Sequence, residues 1–118
     1  MFKVIMLVKK QAGLSDAEFR ARWQAHSEKV LGFQEALCIR GYTKTLPLHG
    51  DAPATQRDTL PFAYDAMGEL WYDNRAAFDA ARQSSTGQAA LAALRADEAT
   101  FVDLAQSVLW FGEEERLL

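Results

Sequence analysis

The sequence predicts one α+β domain, a four-stranded antiparallel sheet with its helices on one face, and three observations lead there. Short apolar segments with strand character alternate with longer stretches of helical spacing. Recognisable caps open the helical stretches. The resulting order, β-α-β-β-α-β, is the split-βαβ, ferredoxin-like arrangement. At 118 residues, 49% apolar and 25% charged, the chain over residues 1–118 has the size and balance of a single globular domain with one core.

Residues 2–9, "FKVIMLVK", read as the first strand. Val4, Met6 and Val8 point one way and Ile5 and Leu7 the other, so both faces are apolar and both need covering. The first helix is expected at 15–31. Ser15 with Glu18 forms a capping box, and Leu14 with Phe19 occupies the staple positions. Gly32 is the expected stop, through a left-handed backbone. "CIRGYTKT", 38–45, reads as the second strand, where Gly41 signals a bulge or a close backbone approach.

"LPLHGDAPATQRDTLP" follows, a long irregular loop expected to cover a pocket. "YDAMGELWY", 64–72, is the third strand. Asp73–Asn74 caps a second helix that Ser84, Ser85 and Gly87 interrupt and "QAALAALRADEATFVDL" resumes, with Leu91, Leu94 and Phe101 inward. "SVLWF", 107–111, closes the sheet before a charged tail whose "EEER" reads as solvated surface.

In the third strand the set Tyr64, Ala66, Gly68, Leu70 and Tyr72 suits the helices. Asp65, Met67, Glu69 and Trp71 then lie on the open face, where Met67 and Trp71 are poor material for water. A second sheet from a homodimer is the simplest cover.

Net charge is −3 with no basic patch, which argues against nucleic acid and anionic membrane as partners. Cys38 is the single cysteine, so no internal disulfide or cysteine metal cluster is possible, and a reducing cytoplasm is the expected location. The apolar run "VIMLV" is too short for a signal sequence or membrane span. His26 and His49 lack metal-ligand spacing, so no metal site is expected. No nucleotide-binding motif appears, and no cofactor is called for, although flavin or haem held by the fold stays open.

The first helix carries the main chemical signal. Phe19, Trp23, His26 and Val30 fall within roughly 40° of one line at about 100° per residue, so a titratable imidazole sits on the inward face. Such a histidine is either a core residue satisfied by backbone groups or a working acid–base group. Arg22 and Lys29, its i−4 and i+3 neighbours, favour the neutral ring, which is a base.

"LSDAEFRARWQAH", "YDAMGELWY" and "ADEATFVDL", together with the opening strand, resemble the EthD family, named for a protein of ethyl tert-butyl ether degradation. The resemblance runs in order over almost the entire chain. It implies a ferredoxin-like fold and a dimeric α+β barrel. Its functional range includes accessory proteins of oxidative degradation, cofactor-free isomerases of muconolactones, and polyketide dehydratases or cyclases. Related barrels include cofactor-free monooxygenases, which would make the chain an oxidoreductase. In the isomerase-like branch the helix histidine is the acid–base residue, which here is His26. Many relatives have a small residue and then proline after that histidine. This chain has Ser27-Glu28-Lys29, so its helix is expected to continue unkinked.

Tyr42 and Asp65 are secondary catalytic candidates, the first as donor to a developing enolate or phenolate oxygen, the second to orient the imidazole. Core packing and local backbone bonding are the alternatives for these two. Phe19, Trp23, Trp71 and Phe101 are candidates for lining an apolar substrate pocket, with plain packing as the alternative. Two readings follow. One is a cofactor-free enzyme of small aromatic, lactone or polyketide-like substrates, with His26 as general base. The other is a non-catalytic accessory or ligand-binding protein of a degradation pathway.

Overall fold

The computed structural model describes residues 1–118. The sheet holds β1 (Phe2–Val8), β2 (Gly41–Thr45), β3 (Ala66–Tyr72) and β4 (Val108–Glu113) in the order β2-β3-β1-β4. All its pairings are antiparallel. Helix α1 (Asp16–Gly32) links β1 to β2, and α2 (Arg75–Gln83) with α3 (Ser85–Glu98) links β3 to β4. The predicted ferredoxin-like arrangement is the one found. No helix is long and apolar enough to cross a membrane.

The Ser15–Glu18 capping box opens α1, and the helix runs through Ser27-Glu28-Lys29. Gly32 does not supply the left-handed stop. Phe33 caps the helix at φ −103°, and the chain continues in turns to Cys38, where φ is 56°. Ile39 N–H then closes onto Gln34 C=O at 3.0 Å, so the reversal comes six residues later than expected and shortens β2. Gly41 pairs in regular register with Trp71. A Cβ there would sit 3.2 Å from the Trp71 ring, so close approach is the reason for glycine.

Ser84 both ends α2 and caps α3, accepting from Gly87 N–H at 3.0 Å. A Cβ at Gly87 would lie 1.7 Å from Ala81 C=O, so only glycine permits this tight joint between the helices.

Alternation along β3 follows the expected faces. Ala66, Gly68, Leu70 and Tyr72 meet the helices, with Ala66 and Tyr72 buried. Tyr64 lies just before the strand. Two buried clusters share the helix face. One gathers Phe2, Val4, Val30, Leu37, Ile39, Tyr72, Phe78 and Ala90. The other gathers Val8, Phe19, Trp23, Ala66, Phe101 and Val102.

Candidate active site

Between the two clusters is a cavity of about 200 Å³, lined by members of both, including Val4, Val30 and Tyr72 from one and Trp23 and Phe101 from the other. The sheet forms its floor. At Gly68 a Cβ would stand 3.3 Å from Trp23 Cζ2, so the missing side chain lets the indole lie against the strand. The mostly apolar wall also includes the polar or charged residues His26, Tyr42, Tyr72, Arg82, Arg95 and Glu98.

His26 sits on the buried face of α1 with Phe19, Trp23, Ser27 and Val30, as its spacing predicts. Its ring meets Phe101 edge-on at 5.3 Å between centroids. Phe101 is held there because the chain after α3 bonds back to the end of β1: Gln11 N–H donates to Phe101 C=O and Asp103 N–H to Lys9 C=O, both at 2.9 Å.

Nδ1 of His26 lies 2.7 Å from Asp97 Oδ2. An ionised carboxylate only accepts, so Nδ1 is the donor in this bond and Nε2 is the ring nitrogen it leaves free. Lys29 Nζ donates to the other oxygen, Oδ1, at 2.7 Å. The bond from Lys29, with that from His26, holds the Asp97 carboxyl below the usual range against the opposing effect of burial. Lys29 is therefore bound to the carboxylate that holds the imidazole. Glu98, next in sequence, is pushed up by burial despite His26 and Arg95 nearby.

Asp65 is not the partner of His26. Its Oδ2 accepts from Lys10 N–H at 2.8 Å, and its own N–H donates to Val8 C=O at 2.7 Å, so it stitches the strand start to the end of β1. Tyr42 lines the cavity within a directed chain of bonds. Trp23 Nε1 donates to the Tyr42 hydroxyl at 3.2 Å, and Ser27 Oγ donates to Trp23 C=O at 2.8 Å. The single Ser27 hydroxyl hydrogen is engaged by Trp23 C=O, so the 3.1 Å contact between the hydroxyls has Tyr42 as donor.

Trp23 and Phe101 are on the cavity wall. Phe19 packs behind them, 5.4 Å from Trp23 and 6.0 Å from Phe101 between ring centroids. Trp71 lies on the opposite face of the sheet, under Lys3 Nζ at 4.5 Å and against Gly41, and its Nε1 donates to Glu114. Strand alternation puts it there and excludes it from this cavity. The 46–62 loop supplies none of the lining residues. Pro47 and His49 instead flank a separate hollow beside Asp16, Arg20 and Asp65, with Arg20 Nη2 2.6 Å from His49 Nε2.

Asp97, Glu98 and Arg82 went unassigned in the sequence. A signal existed for the first two: they follow Leu94 and precede Phe101 by three or four residues, on the same inward stripe.

The EthD domain model matches residues 11–105. The chain belongs to the EthD family. Its fold is similar to that of an ethyl tert-butyl ether d (EthD) family protein from Bacillus halodurans, with TM-score 0.62 and 19% identity over 98% of this chain and 99% of that one. A dimeric ferredoxin-like protein from Bacteroides fragilis gives 0.61 and 13% over 96% and 95%. SnoaB, a cofactor-independent oxygenase from Streptomyces nogalater, gives 0.54 and 14% over 99% and 95%. No curated protein matches the EthD chain in sequence. At these identities the likenesses carry the fold alone.

Proposed function

We propose that this EthD protein is a cofactor-free enzyme that removes a proton from a small aromatic, lactone or polyketide-like substrate. The observation that carries the reading is His26 on the wall of an apolar cavity with Nδ1 held by Asp97. That bond fixes ring orientation and tautomer, so Nε2 is the general base and Asp97 stabilises the imidazolium that forms. Trp23 and Phe101 shape the cavity. Tyr42, whose hydroxyl donates to Ser27 Oγ, accepts from the indole N–H of Trp23 and holds it in place. Isomerisation, dehydration and cofactor-free oxygenation share this first step. SnoaB, a cofactor-independent oxygenase of the same fold, supports that range.

The enzyme is proposed to act as a homodimer. Leu7, Met67, Trp71 and Trp110 share the open sheet face, and Trp110 is 49% exposed. The Bacteroides fragilis protein of similar fold is dimeric, which supports a second copy as the cover. Cys38 is a free exposed thiol and suits the reducing cytoplasm in which the enzyme is placed.

Deuterium exchange tests the chemistry. An unsaturated γ-lactone incubated in deuterium oxide should exchange its acidic C–H faster with the protein than in buffer. His26→Gln should fold normally and lose about 10²–10⁴-fold of that rate. Equal exchange by wild type and variant overturns the base. A lactone that binds without exchanging supports the binding-protein reading instead.

A further inference from the structure

The cavity wall carries an excess of positive charge. Its charged side chains are Arg82, Arg95 and Glu98, two guanidinium groups against one carboxyl, in a chain whose net charge is −3. The arginines that form ion pairs lie elsewhere: Arg40 with Asp73 and Arg75 with Asp79. Burial raises the pKa of Glu98 against the pull of His26 and Arg95.

Arg82 is the more constrained of the two. Its Cζ lies 3.7 Å from the centroid of the Phe78 ring, so one face of the guanidinium is stacked. Nη1 is the only buried side-chain nitrogen or oxygen in the protein without a hydrogen-bond partner. A guanidinium does not shed its proton to escape burial, and an unpaired buried donor costs free energy. Native proteins leave few such atoms, and a functional role or a bound water or ion are among the recognised reasons. Tyr72 shares the wall. Burial raises its pKa and Arg82 opposes the rise, so a protonated phenol stands beside the cation.

We propose that Arg82 anchors an anionic oxygen, so that the cavity takes small aromatic acids, rings bearing a carboxylate, in preference to their neutral analogues. This rests on reading the cavity as a ligand site, and not on proton transfer by His26. Size agrees. Cavities on the order of 150 Å³ hold benzene, and this one, at about 200 Å³, has room for one ring with a small substituent. A planar carboxylate matches the guanidinium fork, and the apolar wall accepts the ring.

Benzoate and benzamide have nearly the same shape and differ in charge. Titrated into the wild-type protein at neutral pH and followed by NMR at the Trp23 indole and the Gly68 amide, benzoate should bind about 10–100-fold more tightly, the worth of hydrogen bonds to a charged group. Arg82→Met should erase that preference, so that benzoate and benzamide bind the variant with equal affinity. Arg82→Lys, which keeps the charge without the fork, should retain part of it. Equal affinities in the wild type overturn the proposal without need of a variant. A preference that survives in Arg82→Met overturns it as well. If neither probe moves the Trp23 and Gly68 signals, the proposal and the ligand-site reading fall together.

Discussion

His26 and Asp97 are 71 residues apart in the chain and 2.7 Å apart in the fold. One comes from the middle of α1 and the other from the end of α3, so the pair exists only when both helices are docked on the sheet. Asp97 also takes Lys29 Nζ, which makes it the centre of a three-residue contact.

Asp97→Asn keeps the shape and an acceptor but removes the charge behind the imidazole. Turnover should fall by up to about 10⁴-fold, the scale when the carboxylate behind a general-base histidine becomes an amide. A shift of the pH–rate profile should accompany the loss, because the charge facing His26 has changed. An unchanged profile in a folded variant would mean that Asp97 only packs.

The acid side of the stability curve should separate Asp97 from Glu98. Asp97 is lowered from 3.8 in the folded state, so its stabilisation is present above that value and disappears as pH falls through the lower, folded value. Urea unfolding should therefore show a gap between wild type and Asp97→Asn at neutral pH that closes in acid. Glu98 is raised from 4.5, so its contribution is full below that value and is lost as pH rises through the folded value. Glu98→Gln should accordingly be neutral in acid and stabilising near neutrality.

Tyr42→Phe removes the acceptor of Trp23 Nε1 and the donor to Ser27 Oγ. The cost should be about 1–3 kcal/mol by chemical denaturation, since a buried indole N–H loses its partner. Any loss of activity should track looser packing of Trp23, visible in its fluorescence. Full stability in the variant would show that the bond chain contributes nothing net.

Met67→Glu tests the dimer. Met67 stands opposite Leu7 on β1 and Thr45 on β2, in the body of the open face. A carboxylate there should dissociate the dimer or cause aggregation, while the helix face stays packed. Sedimentation of the wild type as a stable monomer at micromolar concentration contradicts the proposed assembly.

Local patterns determined the strands, the capped first helix, the break at Ser84 and Gly87, and the inward stripe that buries His26. Each of these rests on neighbours within a few residues, where periodicity and hydrogen-bond needs act before the chain is folded. The left-handed residue fell at Cys38 and not at Gly32, because the path of the turn set where the chain had to reverse. Asp65 was the residue expected to orient the imidazole, yet docking of α3 beside α1 brings Asp97 to it instead, while strand pairing ties Asp65 to Lys10. Trp71 was excluded from the cavity by strand alternation, and the 46–62 loop by the route it takes across Arg20. Partner choice across long stretches of chain depends on which surfaces pack together, and no local period encodes that. Tertiary packing alone decided what faces His26 and what leaves Arg82 Nη1 without a hydrogen-bond partner.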